Sequence, residues 1–227
     1  MKKLIKSLMP PALLDIINKF RNNKYGWHGD YSSWKEAQEA STGYDSDKIL
    51  QTVRNSLLKV KNREAVYERD SVIFDRVQYS WALLSGLMFC SAKNGGALKV
   101  LDFGGSLGST YYQNKKFLDK FENVSWSIVE QKHFVDAGRV DFEDDRLKFF
   151  YNVDECVKSE NPNVLLLSSV MQYIERPFEL LDEILKSNFE YILIDRTPFS
   201  KNTAKITLQI VPTSIYEASY PCWFFRE

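Results

Sequence analysis

An acidic residue followed by three glycines is the part of this sequence best suited to chemistry. Asp102 is followed by Gly104, Gly105 and Gly108, and a helix-like run begins near Ser109. The four mostly apolar residues before Asp102 predict a strand that is buried on both faces. A strand that ends in glycines and leads into a helix presents bare backbone N–H groups to a ligand. The pattern favours a nucleotide-type ligand, and a tight turn that needs glycine only for its backbone angles is the alternative.

A second acid strengthens the ligand interpretation. Glu130 ends the next predicted strand, 28 positions after Asp102. An acid at that place in a doubly wound sheet can accept hydrogen bonds from both ribose hydroxyls of a nucleotide. The alternative is an ordinary surface glutamate.

Polar groups also follow two later strands. The segment after residue 167 begins with Ser168 and Ser169, which leave room for a ligand, and continues into three residues that would wall it, Met171, Gln172 and Tyr173. Asp195 and Arg196 follow the fifth strand. The dinucleotide fingerprint is absent because Phe103 stands where its first glycine belongs, and no phosphate-binding Gly-Lys-Ser/Thr follows. The spacing instead suits a ligand whose amino-acid end meets the glycine turn.

The surrounding elements predict how these residues are positioned. Five short apolar strands are expected at residues 98–101, 125–130, 147–151, 163–170 and 191–195, with helices between them. This alternation predicts an α/β fold with a doubly wound, mostly parallel sheet and helices on both faces. Residues 47–61 and 77–92 predict helices of an N-terminal extension. The aromatic segment 25–34 predicts an ordered loop, either a packing plug or part of a substrate mouth, followed by a capping box from Ser33.

Composition limits the function classes. The 227 residues are 44% hydrophobic and carry 30 basic and 30 acidic side chains, which argues against disorder and gives no overall field for nucleic acid. Three cysteines and two histidines form no metal-ligand pattern, so no metal is expected, and isolated buried thiols suit a reducing cytoplasm. No transmembrane helix or signal peptide is predicted. Residues 1–24 hold an excess of five basic charges, which suits either peripheral membrane contact or docking of an amphipathic helix at 11–20 on its own domain.

The chain resembles a Rossmann-like S-adenosylmethionine-dependent methyltransferase, of a group encoded among bacterial surface-polysaccharide genes. The similarity rests on the phrases Thr42-Gly-Tyr-Asp, Tyr67-Glu-Arg-Asp-Ser, Leu101-Asp-Phe-Gly-Gly-Ser-Leu-Gly-Ser, Val129-Glu-Gln, Leu167-Ser-Ser-Val-Met-Gln-Tyr, Ile194-Asp-Arg-Thr-Pro-Phe and Ser219-Tyr-Pro. It implies a helical extension or cap at residues 1–95 and a cofactor domain at 96–227. It also implies methylation of a small-molecule or glycan acceptor, such as a sugar hydroxyl.

The resemblance further implies where S-adenosylmethionine would bind. The methionine end would lie against Asp102, the ribose on Glu130, adenine beside residues 152–154, and the sulfonium beside Ser168. The full set of implied cofactor residues is Asp102, Gly104, Gly105, Ser106, Gly108, Glu130, Gln131, Asn152, Val153, Ser168, Ser169 and Gln172. Ser106 stands where the wider superfamily usually has glycine.

No single residue is identified as the general base that methylation of a hydroxyl would use. The candidates are His28, Glu68, Asp70, His133 and Asp195, with Tyr67 and Arg69 positioning the substrate. Each has an ordinary alternative: packing for His28, an exposed helix start for His133, and a helix-surface ion pair for Glu68 and Asp70. The oligomeric state stays open. An NAD-dependent oxidoreductase and a non-catalytic interaction protein remain as alternative functions.

The predicted sheet raises one further expectation. A seven-strand methyltransferase needs two more strands after the fifth, whereas only 32 residues (227 minus 195) follow Asp195. We therefore expect a sheet that lacks its C-terminal strands, with the edge of the fifth strand open to solvent.

Overall fold

The computed structural model describes residues 24–43 and 46–227. The predicted amphipathic helix at 11–20 and nearly all of the basic segment 1–24 lie outside these residues. None of the described helices is both long and apolar enough to cross a membrane.

A five-stranded parallel sheet forms the centre of the molecule and confirms the predicted fold class. Its strands are β4 (Leu98–Phe103), β5 (Val124–Val129), β6 (Leu147–Phe150), β7 (Val164–Ser168) and β8 (Tyr191–Asp195), in the spatial order β6-β5-β4-β7-β8. The chain moves outward from β4 to β6 and then returns to the other side of β4. The carboxyl ends of β4 and β7 therefore flank the topological switch point, where ligands of such sheets bind.

Helices cover both faces of this sheet, as the alternating pattern predicts. The described helices are α1 (Trp34–Glu39), α2 (Ser46–Lys61), α3 (Trp81–Lys93), α4 (Ser109–Leu118), α5 (Lys132–Asp141), α6 (Val153–Glu160) and α7 (Pro177–Leu185). Of these, α1 contacts the C-terminal strands of the chain. One core cluster contains residues of helices α2, α3, α4 and α5 together with strand residues such as Val100 and Leu166. The other contains residues of α6 and α7 together with Leu101 and Leu165. Neighbouring strand residues thus face opposite cores, because side chains alternate along a strand.

Local sequence explains several helix boundaries. Ser33 caps α1 by accepting a hydrogen bond from the Glu36 N–H at 3.2 Å, while Glu36 accepts from the Ser32 N–H at 2.9 Å. This is close to the predicted capping box. Gly108 precedes α4 with a φ of 103°, a left-handed conformation that suits glycine. Helix α3 begins at Trp81 and not at Val77 as predicted. Residues 77–80, which precede it, have no regular secondary structure.

Two small sheets complete the fold. Strands β2 (Tyr67–Arg69) and β3 (Val72–Phe74) form a hairpin. Strands β1 (Gly26–Tyr31), β10 (Lys205–Ile210), β11 (Ser219–Arg226) and β9 (Phe199–Ser200) form a four-stranded sheet in the order β1-β10-β11-β9. The predicted loop at 25–34 is therefore wrong over β1, which becomes a strand by pairing with β10.

The fifth strand of the parallel sheet, β8, lies at its edge, and Ile192 and Ile194 are 43% and 52% exposed. The two C-terminal strands β10 and β11 pair with each other and join β1 and β9 in the separate four-stranded sheet instead of extending the parallel one.

Candidate functional site

A cavity of about 850 Å³ lies over the carboxyl ends of the parallel strands. Its floor is the bend after β4, the residue after β5, and the segments after β7 and β8. The β2–β3 hairpin, helices α1 and α2, and the connection from β10 to β11 contribute the remaining walls. Pockets of roughly 300–1,000 Å³ hold small ligands and cofactors, and this cavity lies within that range.

The glycine bend packs tightly against the protein on one side. A Cβ on Gly104, whose φ is 69°, would lie 2.5 Å from Val170 Cγ2, and one on Gly105 would lie 2.6 Å from the Asp102 carboxyl. Close packing therefore accounts for both glycines, and only Gly104 also has the backbone angle that the tight-turn alternative requires. The other side of the bend, Gly104 to Ser106, lines the cavity. Gly108 does not line it and instead opens helix α4.

Asp102 supports the bend from beneath, and it does not line the cavity. Its side chain is buried, with the residue 1% exposed, and its Oδ2 accepts a hydrogen bond from the Trp126 indole N–H at 3.0 Å. Oδ1 has no hydrogen-bond partner. Burial raises the pKa of Asp102 to about 7, although the Trp126 hydrogen bond and the charge of Arg196 oppose the rise. The expected contact of this carboxyl with a methionine group is thus not present in the geometry.

Glu130 does line the cavity, immediately after β5. Its Oε2 accepts a hydrogen bond from the Gln131 N–H at 2.7 Å, and the backbone of Ser106 also hydrogen-bonds to the carboxyl. Burial raises the pKa of Glu130, while these two N–H groups and the charge of His133 oppose the rise. The carboxylate is therefore held between the residue after β5 and the glycine bend. Gln131 is also at the wall.

The segment after β7 brings Ser168 and Ser169 to the cavity, with Ser169 in a left-handed conformation (φ 58°). Gln172 lies beneath them and is not a wall residue. Its Nε2 donates to Ser169 Oγ at 3.1 Å and to the Arg196 carbonyl at 3.2 Å, so it joins the segments that follow β7 and β8. Tyr173, predicted as a wall, lines the cavity, and its hydroxyl donates to Gln209 Oε1 at 2.7 Å.

The residues implied for adenine are placed differently from the expectation. Asn152 caps α6 by accepting from the Glu155 N–H at 2.9 Å, and Val153 packs against the core; neither lines the cavity. The preceding residue, Tyr151, does line it, together with Phe134. The sequence pattern locates the end of β6 correctly but does not show which side chain of that turn faces the ligand.

The structure separates the candidate bases. Glu68 and Asp70 line the cavity, whereas Asp195 lines a smaller adjoining one. His28 and His133 do not line either cavity, and the Nε2 atom of each is buried without a hydrogen-bond partner. Asp195 accepts hydrogen bonds from Ser80 and Ser168.

Glu68 is not the predicted helix-surface residue, because it lies on strand β2 and is only 2% exposed. One carboxylate oxygen accepts from the Ser71 N–H and the other from the Ser109 hydroxyl, both at 2.7 Å. Burial raises the pKa of Glu68 against the effect of these two hydrogen bonds. The side chain therefore joins the hairpin to the start of α4 at the cavity wall.

Several wall residues were not predicted as site residues. They come from strands β10 and β11 and the connection between them, and include Gln209, Pro212, Tyr216, Tyr220 and Pro221. Tyr220 and Pro221 belong to the phrase Ser219-Tyr-Pro, which carries part of the sequence resemblance. That phrase was the feature of the sequence that could have identified them as site residues. Across the described part of the chain, no three His, Cys, Asp or Glu side chains are grouped to hold a metal ion.

Comparison with known proteins adds a distant likeness. No family model matches the chain, and no curated protein matches it. Among solved structures, it is similar to the crystal structure of the N-terminal domain of EvdMO1 in the presence of SAH and D-fucose, with a TM-score of 0.42 and 12% sequence identity, covering 81% of this chain and 82% of that one. This likeness is too weak to assign a function to the cavity.

Proposed function

We propose that this chain is an S-adenosylmethionine-dependent methyltransferase. The observation that carries the proposal is the Glu130 carboxylate, held by backbone N–H groups of Gln131 and Ser106 beside the glycine bend, at the wall of a large cavity over the sheet's carboxyl edge. A fixed carboxylate at this place is suited to accept hydrogen bonds from two ribose hydroxyls.

The residues of the cavity fit an adenosyl cofactor. Phe134 and Tyr151 offer aromatic surface for a base on the side of Glu130 that lies toward β6, and Ser168 and Ser169 leave space on the side toward β7. In this arrangement Glu130 would hold the ribose, and the bend from Gly104 to Ser106 would border the amino-acid end. The bound cofactor supplies an electrophilic methyl group.

The acceptor side of the cavity supports O-methylation of a small-molecule or glycan acceptor. Glu68 is the best placed of the candidate bases, because it lines the cavity and is buried, and burial raises its pKa and so makes it a stronger base than an exposed glutamate. Its hydrogen bonds to Ser71 and Ser109 fix its position. We assign the substrate to sugars of surface-polysaccharide synthesis on the sequence resemblance alone. The three free, buried thiols support a reducing, cytoplasmic setting.

Calorimetric titration of the protein with S-adenosylmethionine and with its demethylated product tests the proposal. We expect both to bind, and Glu130→Ala to weaken binding by about 10- to 100-fold, since hydrogen bonds to a charged group contribute roughly 1.5–3 kcal/mol. Glu155→Ala is the matched control, because Glu155 is exposed on α6 and its replacement removes the same charge away from the cavity. Failure to bind either compound, or binding of NAD in their place, would refute the proposal.

A further inference from the structure

Two arginines stand where the large cavity meets a smaller one. Arg69 of strand β2 and Arg196 after β8 line both cavities, the second of which has a volume of about 300 Å³. Among the described residues they are the two basic side chains in either wall. Burial raises the pKa of the Tyr67 hydroxyl, and the charges of both arginines oppose that rise, so both charges act on this hydroxyl.

The hydrogen bonds of these arginines are long and few. Arg69 Nη2 donates to Gln78 Oε1 at 3.3 Å, and Arg196 Nε donates to Ser168 Oγ at 3.4 Å. Arginines elsewhere that hold the fold together are bound more closely. Arg54 makes two bonds to Asp141 at 2.5 and 2.9 Å, and Arg139 makes two to the Phe149 carbonyl at 3.0 and 2.8 Å. Arg69 and Arg196 therefore keep donor capacity that the protein does not use.

Arg196 forms ion pairs with two carboxylates, but only at the outer limit of ion-pair distance. The nearest acidic oxygens to Arg196 are those of Asp70 and Asp195, each at 3.9 Å, beyond hydrogen-bond length. Asp195 is already engaged by Ser80 and Ser168. An oxyanion placed between the two guanidinium groups would gain charge-assisted, bidentate hydrogen bonds that the present partners do not provide.

The position of the pair within the site separates it from the proposed ribose ligand. Glu130 follows β5 and Arg196 follows β8, and β4 and β7 lie between these strands. Strands β5 and β8 are therefore separated by three strand spacings of about 4.8 Å each, or roughly 14 Å. Arg196 thus follows a strand well removed from the one that carries Glu130, the residue proposed to hold the ribose.

We propose that Arg69 and Arg196 form an oxyanion site for the methyl acceptor, so that the substrate is an acceptor carrying a phosphate or a carboxylate. This inference rests on the proposed methyltransferase function. It narrows the acceptor class from sugars in general to anionic ones, such as sugar phosphates or uronic acids.

Titration of the full chain with pyrophosphate, inorganic phosphate and glucuronate, followed by calorimetry or ligand-observed NMR, tests this site. We expect at least one of these probes to bind, and Arg69→Gln and Arg196→Gln each to weaken that binding by about tenfold or more. Arg69→Lys and Arg196→Lys keep the charge but lose the planar fork, and we expect an intermediate loss. Arg176→Gln is the control, because Arg176 is exposed just before α7, lines neither cavity, and its replacement removes the same charge.

Parallel titrations with S-adenosylmethionine distinguish the two hypotheses. Unchanged cofactor affinity in the glutamine variants, together with lost anion binding, supports the acceptor site. If the wild type binds the cofactor but none of the anions, the oxyanion site is wrong and the methyltransferase proposal stands. If the arginine variants lose cofactor affinity as strongly as anion affinity, the arginines serve the cofactor and the inference fails. Anion binding without cofactor binding overturns the methyltransferase function.

Discussion

Replacement of Asp102 by asparagine gives the sharpest test of how the glycine bend is supported. Burial raises the pKa of Asp102 from 3.8 to about 7 in the folded chain. Between these two pH values the folded protein keeps a proton that the unfolded chain has released, so the stability contributed by this group falls as the pH rises. It is fully present below about pH 4 and lost above about pH 7. At 1.36 kcal/mol for each pKa unit, the whole change is about 4 kcal/mol.

The asparagine of the Asp102→Asn variant cannot titrate, yet its side-chain oxygen can still accept the Trp126 indole N–H. We therefore expect the wild type to lose about 2–3 kcal/mol relative to Asp102→Asn between about pH 5 and pH 8. Urea unfolding at several pH values measures this difference. Glu68 and Glu130 also have raised pKa values, but they titrate in both proteins and cancel in the comparison.

Asp182→Asn is the control for the general effect of removing an acidic charge, because Asp182 is exposed on α7. Its stability should follow that of the wild type with pH. Parallel curves for the wild type and Asp102→Asn would show that Asp102 is not buried in the way described, and the structural role assigned to it would be abandoned.

Two further substitutions test the surroundings of the site by urea unfolding. Gly104→Ala should lower the free energy of unfolding by about 1–3 kcal/mol, because the new Cβ would lie 2.5 Å from Val170. Adding Val170→Ala should recover part of this loss. If nothing is recovered, the contact is contradicted. Gly96→Ala, with a φ of 91° and no atom within 4 Å of the new Cβ, measures the backbone cost alone. Tyr173→Phe should lower the free energy of unfolding by about 1 kcal/mol, because it removes the 2.7 Å hydrogen bond to Gln209. Tyr191→Phe is the control and should leave stability nearly unchanged. Equal effects of the two substitutions would argue against the hydrogen bond.

Local sequence patterns predicted the parallel sheet and its ligand edge well. Strands β4 and β7 are short apolar runs with polar residues after them, and alternation with helices is enough to predict parallel pairing. The position of Glu130 at the cavity follows from the same rule, because carboxyl ends of parallel strands meet at one edge. The sequence therefore located this edge of the candidate site to within a residue or two.

Features that depend on distant partners were not predictable in this way. Strand β1 is rich in glycine and aromatic residues and becomes a strand only through pairing with β10. The buried carboxylate of Glu68 depends on a partner that is distant in sequence, because Ser109, 41 positions later, supplies one of its hydrogen bonds. Asp102 shows a different limit: its place at the strand end was evident, but not that its carboxyl lies beneath the bend and faces Gly105.

The pairing of β1 with β10 has a consequence for the order in which the binding cavity is completed. Gly26 pairs with Ile210, 184 positions away, whereas strands β4 and β5 pair after a single helical crossover. Closing a loop of that length costs about 5 kcal/mol of chain entropy. The part of the cavity formed by the ends of the parallel strands can thus assemble from sequence-local contacts. Pairing of β1 with β10 closes the longest loop among the described strand pairs, so we expect the sheet that carries the rest of the wall to form last. Any compound that contacts both parts of the cavity would preferentially stabilise this last step. It would protect the amides of β1 and β10 from hydrogen exchange more than those of β4.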